Sequence, residues 1–165
     1  MTVMAVGIDQ AILLVLQKAK RVAEEYRALT GKPLGITGEV AEYEAAQKLG
    51  LELTPARQAG YDALEHRPDG TVRRLQIKGR CMLPGCKPGQ RLGRIDRKKD
   101  WDALLMVLLD ENFDAVEIYE AERIDVLREL ATPGSVARNE RGALGVSKFK
   151  AIGRLRWSRA GVNVA

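Results

Sequence analysis

Histidine and cysteine are nearly absent: the 165-residue chain carries one His and two Cys. A structural zinc site usually draws four ligands from those two residue types, so none is expected. Cys81 and Cys86 are separated only by "MLPG". A disulfide across that loop is sterically open, but a reducing compartment argues against it. Long apolar runs are missing too. The longest, "ALLMVLL" at 103–109, has strand length and falls far short of the roughly 20 residues of a membrane helix. The opening "MTVMAVGIDQ" lacks the basic-then-apolar pattern of a secretory leader. No repeat, low-complexity tract or clear linker divides the chain. The expectation is one cytoplasmic domain over 1–165, without membrane association.

Charge is present and is unevenly placed. The net charge is +5, distributed as +1 over residues 1–78, +6 over 79–99, −8 over 100–130 and +6 over 131–165. Clustered basic charge attracts polyanions, because each phosphate contact releases a counterion. Two basic blocks therefore point towards nucleic acid.

The spacing predicts an amphipathic helix over 8–29, ended by Gly31 and Pro33. Its stripe includes Ile12, Val15, Ala19 and Val22, and suits core or partner contact. A second helix is expected over 38–49, with Thr37 as N-cap and Gly50 as its stop. Glu39, Glu42 and Glu44 favour its N-terminal half through the helix dipole. Leu51 and Leu53 alternate with polar neighbours before Pro55.

"YDALEHRPDGTVRRLQIKG" reads as a hairpin, with Pro68-Asp69-Gly70 as a three-residue loop. If Arg67 faces Thr71, Ala63 falls opposite Leu75, Asp62 opposite Gln76 and Tyr61 opposite Ile77. One face is then Tyr61, Ala63, Leu75 and Ile77, fit for a core. The other carries Asp62, Gln76 and Lys78. Residues 79–100 read as a long basic loop, with a helical turn near 94–100. Loops of that length in small domains are usually functional. Strands follow at 102–109 and 115–121, then a helix at 122–130. "TPGS" and "NERG" are loops, and "SKFKAIGRL" a helix capped by Ser147.

A metal-dependent nuclease needs oxygen ligands for Mg²⁺, an activated water, and positive charge near the reacting phosphate. Asp62 can ligate the ion; the Gln76 amide oxygen would do so more weakly than a carboxylate, and the Ile77 carbonyl would assist. Lys78 would orient the water or offset transition-state charge. Opposed residues on a sheet face have Cβ atoms about 4.5–5.5 Å apart, close enough to share an ion.

"GYDAL" at 60–64 followed by "LQIKG" at 75–79 resembles the motif of the PD-(D/E)XK nuclease superfamily. "TGEVAEYEAAQKLG" at 37–50 is similar to its first core helix. The resemblance spans about residues 37–120. It implies an α/β, restriction-endonuclease-like fold, with a mixed central sheet flanked by helices. It implies Mg²⁺, with Mn²⁺ as a substitute, held by Asp62, Gln76, Ile77 and Glu39, the last matching the superfamily's helix acid. Lys78 matches the motif lysine, and DNA is the implied partner. Gln76 stands where the superfamily has Asp or Glu, a variant known in its Mrr-like branch. Tyr61 stands where it has Pro. The expected crossover helix is replaced by the basic loop.

Candidate phosphate contacts are Arg80, Lys87, Arg91, Arg94, Lys98 and Lys99 in that loop. Lys148 and Lys150, with Arg154, Arg156 and Arg159, are candidates in the C-terminal segment. His66 reads as an exposed turn residue. Trp101 and Trp157 adjoin apolar segments and read as core. "GALGVSK" at 142–148 bears a faint likeness to a helix-turn-helix turn, weakened by Arg141. Two rivals accompany the nuclease reading. One is a catalytically inactive module of the same fold that binds nucleic acid. The other is an assembly domain docking through its N-terminal helix, with a homodimer as one form.

Overall fold

The hairpin register sets the architecture. In a computed structural model, which describes residues 8–55, 60–132 and 142–161, Ala63 pairs with Leu75 and His66 with Val72, as the turn chemistry predicts. Arg67 N–H donates to the Thr71 carbonyl at 2.9 Å, and Gly70 takes φ +85° in the turn. These strands are β2 (Ala63–His66) and β3 (Val72–Cys81). They sit in a six-stranded sheet, in chain order, with β1 (Glu52–Leu53), β4 (Ala103–Leu109), β5 (Ala115–Glu122) and β6 (Arg154–Ser158). Only β3 and β4 run parallel. The fold is α/β, a mixed sheet flanked by helices, consistent with a restriction-endonuclease-like fold.

Both faces of the sheet are covered, so every residue of β4 is buried and it reads as an unbroken apolar run. The first face packs against α1 (Gln10–Thr30) and α2 (Thr37–Leu49), through Ala23, Val40, Ala41 and Ala45. Asp9 caps α1 through its carboxylate, and Gly31 and Gly50 end α1 and α2 in left-handed conformations. Thr37 is the first helical residue and not the N-cap. Ile36 holds the cap position without a side-chain bond.

The second face packs against α3 (Arg123–Ala131) and α4 (Val146–Ile152). The basic loop covers the rest of it. Leu92 and Ile95 reach into this second core beside Trp101, and Arg91 bridges Gly145. A turn forms at 97–98, but no helix over 94–100. Two isolated apolar side chains among the cations are enough to lay the loop on the sheet.

The C-terminal expectation needs correction. α4 starts at Val146, has no Ser147 cap bond, and stops at Gly153. A Cβ at Gly153 would lie 2.8 Å from the Glu120 carbonyl, so the chain passes flat against β5 and continues as a strand. The helix that begins within "GALGVSK" is α4, with Gly145 at its cap position, and Arg141 and the residues before it, from 133 on, lie outside the described residues. Most of "TPGS" and of "NERG" therefore lies outside them. No helix among the described residues is long and apolar enough to cross a membrane.

Candidate active site

Below the last β2–β3 pair the ladder breaks. The next hydrogen-bonded pair would join Tyr61 to Ile77. Instead the chain bulges at Asp62. Its N–H donates to the Leu75 carbonyl at 2.8 Å. Its Oδ2 accepts the Ile77 N–H at 2.7 Å, standing in for the missing Tyr61 carbonyl. Tyr61 therefore leaves the face of Ala63, Leu75 and Ile77, where the alternation had it, and packs against the second core.

A strand residue sends its N–H and C=O out by the same edge. The Ile77 carbonyl thus opens onto the gap that the Asp62 carboxylate borders. Gln76 and Lys78, in register with Leu104 and Met106, lie on the second face. Gln76 is buried, and its Oε1 has no hydrogen-bond partner among the described residues. Leaving such an atom unsatisfied costs roughly 1–3 kcal/mol. Lys78 is half-buried and makes no ion pair with a described residue.

From the first face, α2 closes on the same edge. Ala41 and Thr37 sit over Gly79, where an added Cβ would come within 2.6 Å of the Ala41 Cβ and 3.0 Å of the Thr37 carbonyl. The glycine after Lys78 is thus a packing requirement. Gly79→Ala is expected to cost about 1–3 kcal/mol and lower Tm by roughly 3–10 °C. Gly38→Ala, with nothing near its Cβ, is the control. Equal melting of the two variants would refute the close approach.

This docking brings Glu42 and Glu39 to the edge. Burial pushes the half-buried Glu42 carboxyl up to about 7. The charges of Asp62 and Glu39 add to the rise, and Lys78 offsets part of it. Three carboxyls and one ammonium thus share one electrostatic neighbourhood. Glu42 is the member the sequence reading left with the helix dipole. It follows Glu39 by three residues, which puts both on one helix side, and that was the available signal. Glu44 points elsewhere: it accepts from Lys20 at 3.1 Å and from the Ala115 N–H at 2.9 Å.

Among the described residues no three His, Cys, Asp or Glu side chains converge closely enough to hold a metal ion by themselves. The Asp62 carboxylate and the Ile77 carbonyl border the gap, Glu42 and Glu39 share the electrostatic neighbourhood of Asp62, and the unpartnered Gln76 oxygen lies on the second face of the same strand. All offer oxygens, as Mg²⁺ prefers, and the orphaned Gln76 oxygen and the mutual repulsion of the acids both suit a cation.

The cations divide into two groups. Lys150 pairs with Glu117 at 2.6 Å, Lys148 with Glu129 at 3.4 Å and Arg159 with Asp110 at 2.7 Å. Arg154 and Arg156 pair with Glu120. The acidic block thus neutralises much of the C-terminal basic block. In the loop, Arg80 donates to Gln90 Oε1 at 3.1 Å and Arg91 to the Ala143 carbonyl at 3.0 Å. Lys87, Arg94, Lys98 and Lys99 are exposed. His66 is exposed and pairs with Glu52, away from the site. Trp101 is buried, and Trp157 packs on the first core.

No protein-family model matches the chain, and no curated protein matches it.

Proposed function

We propose that the chain is a Mg²⁺-dependent nuclease acting on DNA, with a PD-(D/E)XK-like site at the broken β2–β3 edge. The observation that carries this reading is the buried, unpartnered Gln76 Oε1 next to the strand position whose N–H is held by Asp62. Asp62, Gln76, the Ile77 carbonyl and Glu39 would hold the ion, with Glu42 alongside. When bound, Mg²⁺ supplies a water of lowered pKa and charge neutralisation at the phosphate. Lys78 would orient that water or offset charge on the phosphate oxygens. The Glu42 carboxyl, which changes charge near neutrality, can take up a proton at its own oxygen. Exposed Arg94, Lys98 and Lys99 on the neighbouring loop would contact phosphates without reading bases.

The test is nicking of supercoiled plasmid by the purified chain, with Mg²⁺, with Mn²⁺ and with chelator. Metal-dependent nicking supports the reading, and its absence at all metal concentrations refutes catalysis. One observation favours a second reading, an inactive nucleic-acid-binding module: the described acidic side chains do not form a metal cage unaided. That module would bind a labelled duplex with a log–log salt slope of roughly −0.9 per phosphate contact, yet leave it intact.

Gln76→Glu tests the metal shell. A carboxylate in place of the neutral amide should tighten Mg²⁺ by about tenfold, read by calorimetric titration. Equal affinity would remove Gln76 from the metal shell.

A further inference from the structure

Helix α1 is tied to the domain by one side only. Leu16 packs on the first core and Ala23 is fully buried. Lys20 pairs with Glu44 and Asp114, and Arg27 lies over the Phe113 ring. These four recur at four, three and four residues. The adjoining side carries a second apolar stripe of Ile12, Val15, Ala19, Val22, Tyr26 and Leu29, exposed at every position but the partly covered Ala19. Its exposure reaches 62% at Val15, 54% at Val22 and 87% at Leu29. A run of exposed apolar residues along one line is rare on a monomer surface.

The spacing of this stripe names its occupant. The steps are three, four, three, four and three, the a/d repeat of a two-helix seam. A seam of this kind takes another helix, because only a helix supplies side chains at the matching interval. The flanking charges say which one. On the side of the seam away from the domain stand Lys18 and Glu25, both exposed. Place a second α1 antiparallel across a two-fold axis, and Ile12 meets Leu29, Val15 meets Tyr26 and Ala19 meets Val22. In that register Lys18 faces the partner's Glu25, and Glu25 faces the partner's Lys18. In a parallel pair Lys18 would face the partner's Ala23 and find no counter-charge. A patch complementary to itself under a two-fold is what a closed homodimer requires.

We infer that α1 is the interface of a homodimer, paired antiparallel with α1 of a second copy of this chain. This holds whether or not the β2–β3 edge cleaves DNA. A helix of 21 residues is roughly 30 Å long. One such pair lies at the small end of stable interfaces, so the association falls in the micromolar range.

Sedimentation velocity on the full chain, from about 5 to 500 µM, tests this. Wild type should show a concentration-dependent monomer–dimer shift with Kd of order 10–100 µM. Val15→Glu/Val22→Glu should remain monomeric throughout, at least about 30-fold weaker. Lys18→Glu alone should weaken the dimer by about tenfold through two like-charge contacts. Adding Glu25→Lys should restore it to within about threefold. All these positions are exposed, and circular dichroism verifies that each variant is folded. A wild type monomeric at every concentration would overturn the inference. So would a dimer that survives the glutamate pair, or a Lys18→Glu defect that the charge swap leaves unrepaired.

Discussion

Asp62→Asn should lower Mg²⁺-dependent plasmid nicking by about a thousandfold or more while the fold survives. The asparagine oxygen can still accept the Ile77 N–H that Asp62 Oδ2 takes at 2.7 Å, so the bulge at the end of β2 stays closed. What is lost is the negative charge that would hold the ion. Asp62→Ala also removes the acceptor, leaves the Ile77 N–H bare at a sheet edge, and should cost stability as well as activity. The charge has a second readout that needs no substrate. Asp62 helps to raise the Glu42 carboxyl to about 7, so Asp62→Asn should move the Glu42 titration down towards an ordinary carboxyl. Carboxyl chemical shifts against pH would report it. Full nicking by a folded Asp62→Asn would remove Asp62 from the site. An unmoved Glu42 titration would mean that the two groups are not neighbours.

Much of this edge was legible because hairpin arithmetic is local. One turn, Pro68-Asp69-Gly70, sets every pair up to Ala63 with Leu75, and parity then decides which side chains are buried. The arithmetic fails one step later. Asp62 competes for the Ile77 N–H with its side chain, and no count of residues registers that competition. Glu42 was hidden for a different reason. Its carboxyl is raised first by burial, then by Asp62 and Glu39, with Lys78 opposing; Asp62 and Lys78 lie 20 and 36 positions further on and reach it once α2 closes over Gly79. The exposed side of α1 was legible as a stripe, yet not as surface, because an amphipathic pattern does not say whether its partner lies in the same chain. The helix expected over "SKFKAIGRL" overlaps the first two residues of β6, although "RLRWS" alternates polar and apolar residues as a strand does and Gly153 breaks the helix before it. The β6 arginines sit in the sheet because their counter-charge lies on β5, 34 and 36 residues away.

That counter-charge is Glu120, and removing it should give the largest loss of stability in the molecule. Glu120 is 2% exposed and accepts from Arg73 at 2.9 Å, from Arg154 at 3.0 Å and from Arg156. Arg154 is mostly exposed and is free to turn to water, so its share is small. Arg73 and Arg156 are largely buried and have no such escape. Without Glu120 they keep only Glu65 and Glu122. Breaking a buried ion pair by deleting one partner costs about 3–5 kcal/mol, since the other charge stays desolvated. Glu120→Ala should therefore lower Tm by roughly 6–20 °C, and Glu120→Gln, which keeps an acceptor, by less. The pH dependence has a definite sign. Burial would raise the Glu120 carboxyl, but the Arg73 hydrogen bond and the charges of Arg156, Arg73 and Arg154 outweigh it and hold it below the usual value. A carboxyl lowered on folding contributes stability above its unfolded pKa of about 4.3 and loses it as pH falls through the folded value. Wild-type urea midpoints should therefore fall as the pH drops below about 5, and those of Glu120→Gln should fall less steeply. A Tm change under about 2 °C for Glu120→Ala would mean that the arginines reach solvent, and that β6 is held to β5 by its backbone ladder alone.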